Sequence, residues 1–161
     1  MANLSGFVSI LYCGVTLADF WNRGVFDIAV AASDDRHALL RNEVGVGRNW
    51  LEVELVGTRS NRDAVGARVI LRTGSKQQAR EVIAGDSYAS QSSLRLHFGW
   101  NQSQSIEELV VRWPASGTVQ RFRNIAANCI VQITEGDASL AIKHYPAGRV
   151  AARESTSVIP D

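Results

Sequence analysis

Apolar and polar residues alternate along most of this chain. In residues 50–56, Leu51, Val53 and Leu55 alternate with Glu52 and Glu54. A period of two places successive side chains on opposite faces of a β-strand. The same alternation recurs in residues 65–71, 94–98, 109–113, 129–133 and 140–142, and more weakly in 79–84 and 119–122. The pattern predicts an all-β chain whose strands each turn one apolar face toward a core.

Turn residues, rather than helical patterns, separate the predicted strands. Residues 57–63 form a polar stretch, and residues 73–76 have the composition of a hairpin turn. Pro114 ends a strand because proline has no N–H to donate to the ladder. Short strands with such turns are typical of antiparallel sandwiches and barrels. We therefore expect an antiparallel β-sandwich-like domain over residues 49–145, followed by a flexible tail at 146–161.

The first 48 residues have a different organisation. They contain three predicted strands, at residues 14–20, 26–32 and 37–42, and then a glycine-rich hinge at 45–48. Three strands bury too little apolar surface to be stable alone. We expect this segment to pack on the rest of the chain or on a partner.

Length and composition exclude several classes of function. With 161 residues, the chain forms one domain, or one domain and a fragment. It is 45% hydrophobic and 20% charged, which suits a folded core. The formal net charge of +1 favours neither nucleic acid nor an acidic membrane surface as partner. No apolar run is long enough for a membrane-spanning helix, and residues 1–5 lack the basic start of a signal peptide.

Residues 19–27 have the spacing of a calcium-binding loop. Asp19, Gly24 and Asp27 stand at its first, sixth and ninth places, and Asn22 could add an oxygen ligand. The third place is aromatic, and the fifth, Arg23, is a cation that opposes a metal ion. Asp19, Asn22 and Asp27 are thus candidate ligands of a degenerate site, with Ca²⁺ as its cofactor. The alternative is a structural turn in which Asp19 caps backbone amides.

A glycan site is a second hypothesis. Tyr88 and Trp100 are predicted in loops, where their rings could stack on sugars. Gln91 and Asn101 lie nearby and could hydrogen-bond hydroxyl groups. These four residues are the predicted ligand-binding set.

A hydrolase-type site in the 84–102 loop is the enzymatic alternative. Asp86 and several serines between residues 87 and 93 precede His97. A serine nucleophile needs a base within hydrogen-bond reach and a third group that orients the base. The chain has no Gly-x-Ser-x-Gly turn and no paired metal-ligand spacing around its histidines, so ordinary loop polarity also explains these serines.

Cys13 and Cys129 each lie in an apolar run. They are predicted to be buried thiols, and a disulfide between them is the alternative.

Two segments resemble known families. Asp19-Phe20, Gly24 and residues 27–30 resemble the end of an FG-GAP (VCBS-type) repeat over residues 10–43. These repeats are the blades of integrin-like β-propellers, and their acid-rich loop binds calcium. The resemblance implies that residues 1–48 are the remnant of a single blade, with a propeller-blade hairpin.

Residues 49–135 resemble an ASPIC/UnbV domain. The motifs are Asn49-Trp50-Leu51, Leu55-Val56-Gly57, Ser60-Asn61-Arg62-Asp63-Ala64-Val65-Gly66-Ala67-Arg68-Val69, Leu96-His97-Phe98-Gly99 and Val111-Arg112-Trp113-Pro114. The chain departs from the family at Trp100-Asn101, where Leu-Gly is usual, and at the additional Ala115. The resemblance implies a domain that follows FG-GAP repeats in exported or extracellular proteins, and for which no enzymatic activity is established.

These features together predict a non-enzymatic accessory or interaction module, adhesive or glycan-facing, at the C-terminal end of an exported FG-GAP repeat protein. Its expected partners are upstream propeller blades or another protein chain, with a glycan as possible ligand. A propeller needs several blades to close, so the chain is expected to be part of a larger protein or a degraded copy of one. The structural alternative is a cap on the open end of a propeller.

Overall fold

The computed structural model describes residues 12–33, 37–44, 47–101 and 105–143. Within these ranges the chain consists of strands, turns and loops without a helix, which confirms the all-β prediction. None of the described segments is a helix with the length and apolarity required to cross a membrane. The predicted tail at 146–161 lies outside the described residues.

Thirteen strands are present in the described part of the chain. They are β1 (Tyr12–Ala18), β2 (Asp27–Ala32), β3 (Ala38–Leu40), β4 (Asn49–Val56), β5 (Arg68–Thr73), β6 (Lys76–Glu81), β7 (Leu96–Trp100), β8 (Ser105–Ile106), β9 (Glu108–Arg112), β10 (Val119–Phe122), β11 (Ile125–Ala126), β12 (Cys129–Thr134) and β13 (Leu140–Lys143).

Two four-stranded sheets form the sandwich-like body. Their strand orders are β10-β9-β5-β6 and β13-β12-β4-β7, and β8 and β11 form a small additional pair. The neighbours pair antiparallel, as predicted, except that β4 and β12 are parallel with Leu51 opposite Cys129. A parallel pair needs a long crossover, and here the strands of the other sheet intervene between β4 and β12 in the chain.

The alternating apolar positions build the core between the two sheets. Leu51 and Val53 of β4 and Phe98 of β7 pack with Leu71 of β5 and Val111 of β9. Each of these side chains is almost completely buried. The predicted inward faces of these strands are therefore confirmed. The short strands β8 and β11 were not predicted, because two residues are too few to show an alternation of apolar and polar side chains.

The strand β5 begins later than its alternation suggested. Residues 64 and 66 have positive φ angles of 55° and 88°, which a strand does not tolerate. Gly66 N donates to Val82 O at 2.8 Å, and Val82 N donates to Ala67 O at 3.0 Å. This turn delivers Ala67 to the core before the ladder starts at Arg68.

The strands β1, β2 and β3 form an antiparallel N-terminal sheet in that order. Its register places Leu17 opposite Ile28, and Ile28 opposite Leu40. The edge of β1 joins the loop before β7, since Thr16 Oγ1 donates to Gln91 O at 2.6 Å and Ser93 N donates to Leu17 O at 2.9 Å. The N-terminal sheet therefore packs on the rest of the chain, which was one of the two expected outcomes.

Candidate functional site

A cluster of polar side chains, the polar junction, joins the N-terminal sheet to β4. It consists of Asn22, Glu52, Glu54 and Arg95. The guanidinium of Arg95 lies 2.8 Å from Glu52 Oε2 and 2.8 Å from Glu54 Oε1. Arg95 Nη1 also donates to Asn22 Oδ1 at 3.0 Å. One arginine thus holds two acidic residues of β4 and the turn between β1 and β2 in one arrangement.

Glu52 is fully buried, although the alternation of β4 places it on the face away from the core. The turn between β1 and β2 and the guanidinium of Arg95 lie over that face. Burial raises the pKa of Glu52 from 4.5 to about 7, while the hydrogen bond and charge of Arg95 act in the opposite direction. Its second oxygen, Oε1, is buried without a hydrogen-bond partner among the described residues.

His97 lies next to the polar junction on β7. Its Nε2 donates to Gly24 O at 2.7 Å, because a carbonyl can only accept. The imidazole also packs on Phe26, with ring centroids 4.8 Å apart. Burial lowers the pKa of His97 below its usual 6.5, which favours the neutral ring. The turn that contains Gly24 therefore covers this face of β7.

The three candidate calcium ligands are all engaged by hydrogen-bond donors. Asp19 accepts from the backbone amides of Arg23, at 2.9 Å, and Gly24, at 2.5 Å. Asp27 Oδ1 lies 3.0 Å from the guanidinium of Arg23. Asn22 Oδ1 accepts from the guanidinium of Arg95. Asp19 therefore caps a turn, in the manner of the structural alternative.

This arrangement does not fit a resident calcium ion. Calcium takes six to eight oxygen ligands, whereas here the guanidinium of Arg23 supplies the positive charge beside Asp27. Arg23 is held in place by Asn42 O, at 3.1 Å, and by the ring of Trp21, whose centroid lies 5.5 Å away. No group of three or more His, Cys, Asp or Glu side chains suited to a metal occurs within the described ranges. Calcium binding at Asp19, Asn22 and Asp27 stays a prediction that would require Arg23 to move.

Gly24 is required by this turn. Its φ is +76°, and a Cβ built on it would overlap the indole ring of Trp50. The same residue supplies the carbonyl that His97 contacts. A glycine at this position therefore lets the turn approach both β4 and β7 closely.

The structure divides the predicted glycan residues into two groups. Tyr88 is 85% exposed, and the side chain of Gln91 is committed to its own loop by bonds to Gly85 N and Ile83 O. Trp100, which the sequence placed in an exposed loop, is instead the last residue of β7 and is 7% exposed. The alternation of β7 continues through it, so its ring turns inward and joins the core. Trp100 is therefore not an open stacking platform.

A cleft of about 640 Å³ opens between the N-terminal sheet and the ends of β6 and β7. Trp100 and Asn101 line it, and the cationic side chains of Arg48 and Lys76 line it as well. Tyr88 and Gln91 are not among its lining residues. We call this feature the basic cleft.

The residues of the hydrolase alternative make other contacts. Asp86 Oδ1 accepts from Ser92 N at 3.2 Å, and Ser92 Oγ accepts from Leu17 N at 3.3 Å. Ser93 Oγ accepts from Arg95 N at 3.2 Å. Within the part of the chain that the structure describes, no hydrogen bond joins a serine of this loop to His97. Ser92, Ser93 and His97 are thus each engaged with backbone partners in this structure.

Glu135 anchors the loop that follows β4. Its Oε2 accepts from three successive backbone amides, Thr58, Arg59 and Ser60, at 2.9, 2.8 and 2.7 Å. Its Oε1 accepts from the hydroxyls of Ser60 and Ser116 at 2.9 and 2.6 Å. Burial acts to raise the pKa of Glu135, but these hydrogen bonds outweigh it and lower the pKa to about 2. The alternation pattern gave no indication of this residue, which is the last residue of the range that resembles the family.

Comparison with known families gives one match. The family described as ASPIC and UnbV matches residues 57–140, a range that begins with the loop after β4 and includes Glu135. A comparison with the curated proteins finds no match. Because the matched range covers more than half of the 161 residues, this chain belongs to the ASPIC and UnbV family.

Proposed function

We propose that this chain is a non-enzymatic interaction module, forming the C-terminal part of an exported FG-GAP repeat protein. Proteins of the ASPIC and UnbV family are generally extracellular or periplasmic. In this proposal the N-terminal sheet is the last blade of a propeller, and it packs on a preceding blade through one of its faces. The proposal also gives the chain an adhesive, glycan-facing role outside the propeller.

The observation that carries the proposal is the apolar face of the N-terminal sheet. Leu17, Ile28 and Leu40 form one cross-strand row, and Val15 and Val30 begin the next. Residues directly opposite one another in a sheet share a face. Leu17, Leu40 and Val15 remain 38%, 52% and 44% exposed, respectively. A contiguous exposed apolar surface of this kind marks a site of contact with another protein surface.

Three further contacts support a blade that is fixed to the rest of the chain rather than freely mobile. The polar junction joins the turn after β1 to β4 through Arg95. Gly24 approaches Trp50, and the edge of β1 hydrogen-bonds to the loop before β7. A blade held in this way would transmit a fixed orientation from the propeller to the domain.

The test is the association state of the chain in solution. We expect the wild-type protein to self-associate at micromolar concentration and to enhance the fluorescence of an apolar dye, because Leu17, Leu40 and Val15 of this face are exposed. A Leu17→Glu and Leu40→Glu double variant should be monomeric in light scattering. As a matched control, Ile83→Glu and Val119→Glu together replace two exposed apolar residues outside the sheet and should leave association unchanged. A wild-type protein that is a clean monomer without dye binding would refute the proposal.

A further inference from the structure

The basic cleft has the features of a ligand-binding site. Its volume of about 640 Å³ lies in the range of small-ligand sites in proteins, roughly 300–1,000 Å³. It lies where three parts of the fold meet: the turn before β2, the start of β4, and the adjoining ends of β6 and β7. Because these parts are fixed to one another by the polar junction and by the His97–Gly24 contact, the cleft is formed before any ligand arrives.

The charged side chains that line the basic cleft are all positive. Among its lining residues, the charged ones are Arg48 and Lys76, and both are exposed. Neither forms an ion pair with any carboxylate in the described ranges, whereas Arg23, Arg72 and Arg95 all do. A concave surface lined by cations concentrates the positive potential and attracts an anionic group. The net charge of the whole chain, +1, does not reveal this local excess.

The remaining lining groups suit a hydroxylated ligand. Gln77 and Asn101 present side-chain amides in exposed positions at the rim. Phe26 also lines the cleft, and its aromatic ring packs against His97. Amides pair with hydroxyl groups, and an aromatic face covers the apolar side of a sugar ring. Cations, amides and one ring together match a saccharide that carries an acidic group better than a neutral sugar or a simple ion.

We propose that the basic cleft binds an acidic saccharide, with Arg48 and Lys76 contacting its carboxylate or sulfate and Gln77 and Asn101 contacting its hydroxyl groups. This inference rests on the glycan-facing part of the proposed function and names its ligand class and place. Of the ligand-binding residues predicted from the sequence, Asn101 belongs to this site, whereas Tyr88 and Gln91 do not line the cleft. The apolar face of the N-terminal sheet takes no part in it.

The experiment is calorimetric titration of the full chain at low ionic strength with a galacturonate trisaccharide, compared with the neutral galactose trisaccharide. We expect saturable binding of the acidic trisaccharide and at least about tenfold weaker binding of the neutral one. An Arg48→Gln and Lys76→Gln double variant should bind the acidic trisaccharide at least about tenfold more weakly. Arg62→Gln is the matched control, because it removes an exposed positive charge beyond the opposite end of β4 and should leave binding unchanged.

The competing outcomes are separable. No saturable binding of the acidic trisaccharide would overturn the inference, and so would equal affinity in the double variant. Equal binding of the neutral trisaccharide would also overturn it but would leave a glycan-facing role intact. Inorganic sulfate that binds as tightly as the trisaccharide would reduce the site to simple anion binding and refute the saccharide. Failure of the proposed interaction module would appear instead in the light-scattering experiment on Leu17 and Leu40, which does not involve the cleft.

Discussion

The carboxylate of Glu52 lies 2.8 Å from the guanidinium of Arg95, although Glu52 belongs to β4 and Arg95 to the loop before β7, 43 positions further along the chain. Arg95 also contacts Asn22 in the turn that follows β1. The pair therefore connects β4 to the N-terminal sheet, with the Glu52 side chain fully buried and the Arg95 side chain 19% exposed. A buried charge pair of this kind is costly to break, because removal of one partner leaves the other uncompensated.

The first prediction concerns the pH dependence of stability. The pKa of Glu52 is raised to about 7 by burial, so the folded state holds this proton where the unfolded state has released it. The stability from this group is complete below pH 4.5 and is lost as the pH rises through about 7. At about 1.4 kcal/mol per pKa unit, the loss in free energy of unfolding is up to ~3 kcal/mol.

The measurement is urea unfolding of the wild type and Glu52→Gln at about pH 5 and pH 8. Glu52→Gln should lose less stability than the wild type between these values. Glu54→Gln is the control, since the charge of Glu54 is the smallest of the causes that raise the pKa of Glu52, and this variant should keep most of the wild-type pH dependence. Identical pH profiles for the wild type and Glu52→Gln would contradict the prediction.

The second prediction concerns Glu135 and acid unfolding. The folded-state pKa of about 2 lies below the ordinary 4.5, so the ionised form stabilises the fold above pH 4.5 and this contribution is lost as the pH falls toward 2. Glu135→Gln cannot accept at both oxygens, and the loop amides that it caps become unsatisfied. We expect the melting temperature at neutral pH to fall by about 5 °C or more.

The acid-induced fall in stability between pH 4.5 and about 2 should also become shallower in Glu135→Gln. Calorimetry over this range measures both effects. The exposed Glu81→Gln is a matched removal of one carboxylate and should change neither. A Glu135→Gln protein with wild-type melting would show that the loop does not depend on this anchor.

The third prediction compares two glycines, one where a side chain would only strain the backbone and one where it would also overlap a neighbouring residue. Gly24 and Gly47 have similar φ angles of +76° and +84°, but only at Gly24 would a Cβ overlap another residue, Trp50. Gly47→Ala should therefore cost about 1 kcal/mol for the left-handed backbone alone. Gly24→Ala should cost about 3 kcal/mol or more, because the turn must also move away from β4. Chemical denaturation measures both, and equal costs would argue against the close approach of the turn to Trp50.

The fourth prediction concerns calcium. Since Arg23 already neutralises Asp27 and the amides of the turn occupy Asp19, millimolar calcium should raise the melting temperature by less than about 1 °C. Magnesium at the same concentration controls for ionic strength. A calcium-specific rise that disappears in Asp19→Asn would instead show that the ion displaces the guanidinium.

The candidate site was only partly predictable from the sequence. Asp19 and Gly24 were correctly assigned to one turn, because the spacing of turn residues is a local property. Trp100 was misplaced in a loop although it continues the alternation of Leu96 and Phe98, because Gly99 and Asn101 on either side of it are typical turn residues. The basic cleft was not predicted at all: Arg48 and Lys76 are 28 positions apart, and only the packing of β4 beside β7 and the adjoining end of β6 places them in one cavity.

By itself the sequence determined the all-β class, most of the strands and the inward faces of β4, β5, β7 and β9, because the side chains of a strand alternate with a period of two whatever its partners are. The tertiary structure decided which outward faces are covered. In the sequence, Glu52 lies between two apolar residues, as an acid on the exposed face of a strand does. It is buried only because a distant turn and Arg95 pack over it. Burial, charge pairing and clefts are properties of contacts between segments far apart in the chain, and such contacts leave no period in the sequence.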